Sequence, residues 1–154
     1  MTKAITPTTD FKSCSICKHI PDHKFVEILH TDARLPEQVD QLEVIGGYGF
    51  YGHEQVRKCP LCNTYYTYLS DHDSEAGLGF GYTDEEIRRI TPESALSVME
   101  RILESSQGAL EYWTKRFQET QDSYAQHAIT RHTQEINRLI QELASLKKLL
   151  SIGE

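Results

Sequence analysis

The sequence predicts an α+β protein, with an antiparallel β module at the N-terminal end and a helical hairpin or one long helix at the C-terminal end. Three observations carry this. Short apolar, β-branched runs bounded by turn residues recur between residues 14 and 69. The four cysteines fall in the same stretch, as two Cys-x-x-Cys pairs. From Ala109 to Ser151 there is neither Pro nor Gly, and apolar residues recur at helical spacing.

Residues 1–12 are polar and read as a mobile arm. The β module is expected over 13–90, acidic connector included, and the helical part over 91–154. Phe25-Val26-Glu27-Ile28-Leu29 and Leu42-Glu43-Val44-Ile45 are the first two strands, and Thr64-Tyr65-Tyr66-Thr67-Tyr68-Leu69 is the clearest one. Aromatic and β-branched side chains suit a pleated, half-buried surface. Gly46 to Gly52 forms a loop or wide turn, and residues 70–82 read as an acidic, glycine-punctuated connector. Thr83 followed by Asp84, Glu85 and Glu86 has the form of a capped helix start, because acidic groups favour the positive end of the helix dipole. Thr91-Pro92-Glu93 starts another helix, expected to run to about Ser106, to bury Leu96, Met99 and Leu103 or Ile102, and to stop at Gly108. Beyond it, Leu110, Trp113 and Phe117 open an apolar stripe that sharpens into Ile136, Leu139, Leu143, Leu146 and Leu150. Those spacings alternate three and four, the heptad seam that needs a facing helix. An unbroken helix here would be roughly 60 Å long at ~1.5 Å per residue. Its stripe needs partners, so a folded-back hairpin and a homodimer through the seam are both expected.

Cys14/Cys17 and Cys59/Cys62 use every cysteine, which makes four thiolates, a full tetrahedral shell for Zn²⁺. Four protein sulfurs leave no position open for water, so the expected site is structural rather than catalytic. The second pair is followed by Asn63, a residue that tolerates the positive φ such turns often need; Lys18 after the first pair suits it less. Hydrophobic residues are only 38% of the chain, and a bound metal would replace part of the missing core. The N-terminus lacks the apolar stretch of a signal peptide and no long apolar run occurs, so a cytoplasmic, non-membrane location is expected, where paired cysteines favour metal over disulfides.

The formal net charge of −7 argues against binding to phosphate backbones. His19, His23 and His53 lie near the pairs and are alternative ligands that four cysteines make unnecessary. Asp71-His72-Asp73-Ser74-Glu75 reads as a solvated loop, with no nucleophile at a recognisable spacing. Gly77-Leu78-Gly79-Phe80-Gly81 lacks the Lys-Ser/Thr of a phosphate loop. Tyr48, Phe50, Tyr51, Tyr65, Tyr66, Tyr68, Phe80 and Tyr82 crowd the β half; base stacking and a protein interface are possible uses, but core is the favoured one.

The run Cys59-Pro60-Leu61-Cys62-Asn63-Thr64-Tyr65-Tyr66, with Cys14-x-x-Cys17 upstream, resembles the zinc-ribbon superfamily. It is similar in particular to small bacterial zinc-binding proteins with a Cys-Pro-x-Cys-Gly-Thr-x-Tyr knuckle and a later Ile-Thr-Pro-Glu helix start, here Ile90-Thr91-Pro92-Glu93. The resemblance covers residues 14–95 and implies a zinc-ribbon-like β module with structural zinc on Cys14, Cys17, Cys59 and Cys62. It brings no activity with it. Asn63 stands where the usual residue is Gly, and the 41 residues between the pairs exceed a minimal ribbon. A weaker resemblance links Cys14/Cys17, Asp22-His23, Gly46-Gly47 and Cys59/Cys62 to HNH nucleases. The expected Asn between His23 and Cys59 is missing, and so is the His after Cys62. The expected function is a non-enzymatic, zinc-stabilised protein-interaction or adaptor module. A nucleic-acid- or transcription-associated zinc ribbon comes second, and an HNH-like nuclease third.

Overall fold

The computed structural model describes residues 11–27, 33–47, 53–73 and 82–152. Five antiparallel strands form one sheet: β1 (His23–Glu27), β2 (Glu43–Gly46), β3 (His53–Lys58), β4 (Tyr65–Asp73) and β5 (Tyr82–Ile90), in the order β1-β5-β4-β3-β2. Two helices follow, α1 (Pro92–Thr120) and α2 (Ser123–Ile152). The α+β class expected from the sequence is the class observed.

Successive residues of a strand point to opposite faces, and here both faces are used. Tyr65 packs with Val56 and Ile45 against Ala95, Val98 and Met99 of α1 and Leu139, Leu143 and Leu146 of α2. Its neighbour Tyr66 turns the other way, into a cluster with Ile87, Cys17, Cys59, Cys62, Ile16, Ile20, Val39 and Leu42. The molecule is therefore a sheet between a helix pair and a cysteine-bearing layer.

Several elements differ from the sequence expectation. Strand β3 was not anticipated, because five residues of His-Glu-Gln-Val-Arg-Lys are polar. The helix expected at Thr83 is strand β5. It lies between β1 and β4, and its pairing with β4 from Tyr65↔Ile90 to Asp73↔Tyr82 overrides a locally helical start. Gly108 does not stop α1; it is exposed and a methyl there would meet nothing within 4 Å, so the helix only bears the intrinsic cost of about 1 kcal/mol. The long C-terminal helix is instead broken at Gln121, whose left-handed backbone (φ 54°) closes α1 through its N–H to Phe117 O at 2.8 Å. Asp122 starts α2 by accepting the Tyr124 N–H at 2.9 Å. The start of α1 is as expected, with the Thr91 side chain accepting from Ser94 N at 3.1 Å and Pro92 at the first position.

The result is a hairpin, and the chain itself fills much of the heptad seam. Leu139, Leu143 and Leu146 are buried, while Ile136 and Leu150 are half-buried. Among the described residues, no helix is long and apolar enough to cross a membrane. Ile28, Leu29, Tyr48, Phe50, Tyr51, the Gly77–Gly81 run and most of the N-terminal arm lie outside the described residues.

Candidate metal centre

The two cysteine pairs reach one point by different local routes. After Cys14 the chain turns right-handed: Lys18 N donates to Cys14 O at 3.0 Å and Ile20 N to Cys17 O at 3.0 Å, closing a 3-10 turn over Cys17–His19. Lys18 thereby avoids the positive φ it would adopt poorly. The second pair is closed by Asn63 N to Cys59 O at 3.0 Å and Cys59 N to Thr64 O at 2.9 Å. Here the positive φ does occur, at Asn63 (60°), as the sequence suggested.

The four sulfurs lie within 4.8 Å of one another, with Cys14 Sγ to Cys59 Sγ at 3.7 Å and Cys62 Sγ to Cys17 Sγ at 3.4 Å. These separations are far beyond a disulfide's ~2.05 Å, and none of the four cysteines forms a disulfide. A tetrahedron with sulfur at ~2.3 Å from its centre has edges of roughly 3.8 Å. The donor set thus fits one tetrahedral metal ion. Cys17, Cys59 and Cys62 are buried, and Cys14 is half-buried.

Neighbouring polar groups orient the sulfurs. Thr64 Oγ1 lies 3.0 Å from Cys62 Sγ. The buried Tyr66 hydroxyl bonds to Cys17 and accepts Arg89 Nε at 3.4 Å. Arg89 is fixed in turn: its Nη2 donates to Ile20 O at 2.7 Å, it pairs with Asp22, and its guanidinium lies 3.8 Å over the Phe11 ring. Burial lowers the Arg89 pKa, and Cys17 opposes that shift once it is a thiolate. An ion held by four thiolates carries net negative charge, which this cation, close to Tyr66 and Cys17, offsets.

Without a metal the thiols cannot all ionise. Burial pushes Cys17 and Cys59 up, so they stay protonated at neutral pH. Burial acts the same way on Cys14, but hydrogen bonds at the Cys17 and Ile16 backbone and the neighbouring thiols outweigh it and hold it at about 7. Of these three, Cys14, the most exposed, is the readiest to form the thiolate that captures a metal.

All four residues expected at the site are brought together. His19 is exposed at the end of its turn, and His23 lies on β1 with Nε2 3.0 Å from Glu86, so neither joins the cluster. The His53 side chain lies outside the described residues. Asp71 sits on β4 opposite Asp84, and among the described residues only the cysteines group closely enough to hold a metal. Tyr65 and Tyr66 are core, while Tyr68 is half-buried, lies under Arg57 at 3.9 Å and donates to Glu85 at 2.7 Å. Sequence reasoning missed Thr64, Tyr66 and Arg89 as supports. The first two were visible as alternate residues directly after the second pair. Arg89 carried no signal, because it arrives from a strand read as a helix.

No family model, no curated protein and no solved structure matches the chain. Fold and site together define an α+β protein with a four-cysteine candidate metal centre on one face of its sheet.

Proposed function

We propose that this protein is a non-enzymatic interaction module of the zinc-ribbon type, whose β half is held by structural Zn²⁺ on Cys14, Cys17, Cys59 and Cys62. The observation that carries the reading is the convergence of four sulfurs within 4.8 Å, three of them buried. Four thiolates are soft donors that suit zinc and leave it no open position for water. The metal ties residues 14–17 to 59–62, giving a core-poor layer a covalent-like staple.

The partner surface we assign is the far end of the helical hairpin. Trp113 makes edge-on contacts with Tyr112 (5.1 Å) and Tyr124 (5.3 Å), and both tyrosines are more than half exposed. Exposed aromatics of this kind are typical anchors of protein interfaces.

Metal analysis of the purified full chain tests the zinc reading, with one Zn²⁺ per chain expected. Cobalt substitution should give a four-coordinate tetrathiolate spectrum; a five-coordinate spectrum with exchangeable water would instead point to catalysis. For the surface, the double variant Tyr112→Ala/Tyr124→Ala should lose a partner captured by the native chain while keeping its zinc and its melting temperature. Retention of that partner would move the interface elsewhere.

A further inference from the structure

A cysteine is oxidised reversibly where an oxidant can reach its sulfur and a second thiol stands close enough to complete a disulfide. The four cysteines differ in the first respect. Cys17, Cys59 and Cys62 are buried, whereas Cys14 is half-buried and sits between Ser13 and Ser15, both exposed. A small oxidant arriving from solvent therefore meets Cys14 first.

The second respect is set by which sulfur stands opposite. Cys14 Sγ lies 3.7 Å from Cys59 Sγ, and Cys62 Sγ lies 3.4 Å from Cys17 Sγ. Both contacts join one Cys-x-x-Cys pair to the other, between residues 45 positions apart in the chain. Each pair is closed by its own backbone turn, Lys18 N to Cys14 O and Asn63 N to Cys59 O, and offers its sulfurs to the facing turn. Closing 3.7 Å to a disulfide's ~2.05 Å asks for a side-chain adjustment and no exchange of partners.

We propose that Cys14 is a peroxide-sensitive residue with Cys59 as its resolving partner, so that oxidation exchanges the metal for a Cys14–Cys59 disulfide. This deepens the structural-metal reading and rests on it for the release of an ion. The Cys14 thiolate attacks one oxygen of hydrogen peroxide; the O–O bond breaks, Cys14 becomes a sulfenic acid and hydroxide leaves. The Cys59 thiolate then attacks the Cys14 sulfur; the S–S bond forms, the S–O bond breaks and a second hydroxide leaves. The two sulfurs give up two electrons, the peroxide takes both, and solvent protons turn each hydroxide into water. Cys17 and Cys62 remain, too few donors for a structural zinc shell. The new bond spans the same two turns that the ion tied. Because it closes a long loop, it constrains the unfolded chain more than a link within either pair. The cysteine face thus stays stapled while its ion is lost.

The test starts from the full chain with its zinc counted. One equivalent of hydrogen peroxide is added, zinc release is followed with a chromogenic indicator, and remaining thiols are alkylated before peptide mapping by mass spectrometry. The expected result is loss of the zinc, loss of two of the four alkylatable thiols, and a peptide pair linked through Cys14 and Cys59. Dithiothreitol should restore the thiols and zinc binding. In Cys59→Ser the Cys14 sulfenic acid lacks its partner and should be trapped by dimedone. A dominant link between any other two cysteines, or four alkylatable thiols after the peroxide treatment, would overturn the proposal. The mapping uses the native chain, so it decides even if Cys59→Ser does not fold. Purified chain without zinc would refute the structural-metal reading alone, since the linkage is still read from the same four thiols.

Discussion

Stripping the metal should cost this protein much of its stability, and the architecture indicates how much. The cluster on the cysteine face contains nine buried residues, and three of them are the candidate ligands Cys17, Cys59 and Cys62. What remains is four aliphatic side chains in the flanking turns plus Tyr66 and Ile87 from the sheet, too little to hold two distant loops by apolar burial alone. Free zinc at a thousand times its dissociation constant stabilises the folded state by about 4 kcal/mol through mass action. A chain of this size shifts by roughly 2–4 °C per kcal/mol, so a competing chelator should lower the melting temperature by about 8–16 °C. Thermal unfolding followed by circular dichroism, with and without chelator, measures the shift, and a chromogenic zinc indicator counts the ions released. An unchanged melting curve after one full equivalent of zinc has left would refute the argument that the ion holds this face together.

Three further outcomes are expected. Leu139→Ala opens a cavity at a fully buried position beside Gly46 and Met99, and should cost about 2–5 kcal/mol in denaturant unfolding. Asn63→Gly should be nearly neutral, whereas Asn63→Val, forced to a φ of 60°, should lose at least about 1 kcal/mol and weaken zinc retention in a chelator competition. Burial, and then the bond to Glu85, holds the Tyr68 hydroxyl at about 12, above its unfolded value of about 10. The folded phenol keeps its proton more tightly, so its contribution is whole below the unfolded pKa and is lost as pH rises through the folded one. Unfolding measured at pH 9 and pH 11.5 should therefore show a smaller alkaline loss in Tyr68→Phe than in the native chain.

The candidate site was legible in the sequence because cysteine spacing encodes it locally. Asn63 even announced the backbone turn that positions Cys62. Strands β2 and β4 were legible for a similar reason, since Val44, Ile45, Tyr65 and Tyr66 match local preference to final environment. β5 was not. Thr83, Asp84, Glu85 and Glu86 satisfy every local rule for starting a helix, and only the neighbours on both sides make them a strand. β3 carries one buried aliphatic residue, Val56, and its remaining polar groups gave no alternation to read. The hairpin break at Gln121 hid behind Gly108, the more conspicuous breaker, although Asp122 before an amphipathic run was a usable sign. The partner of the heptad leucines was illegible for a different reason. A repeat of threes and fours says that a face must be covered, and α1 and the sheet satisfy that need as well as another chain would.

Adjacent tyrosines on β4 point into separate interiors, Tyr65 toward the helices and Tyr66 toward the sulfurs. Sliding that strand by a single residue would exchange the two rings and spoil both compartments together. Neither half of the molecule can tolerate a mispaired β4, so correct alignment of this one segment is a shared precondition for assembling the ion's cradle and for seating the hairpin.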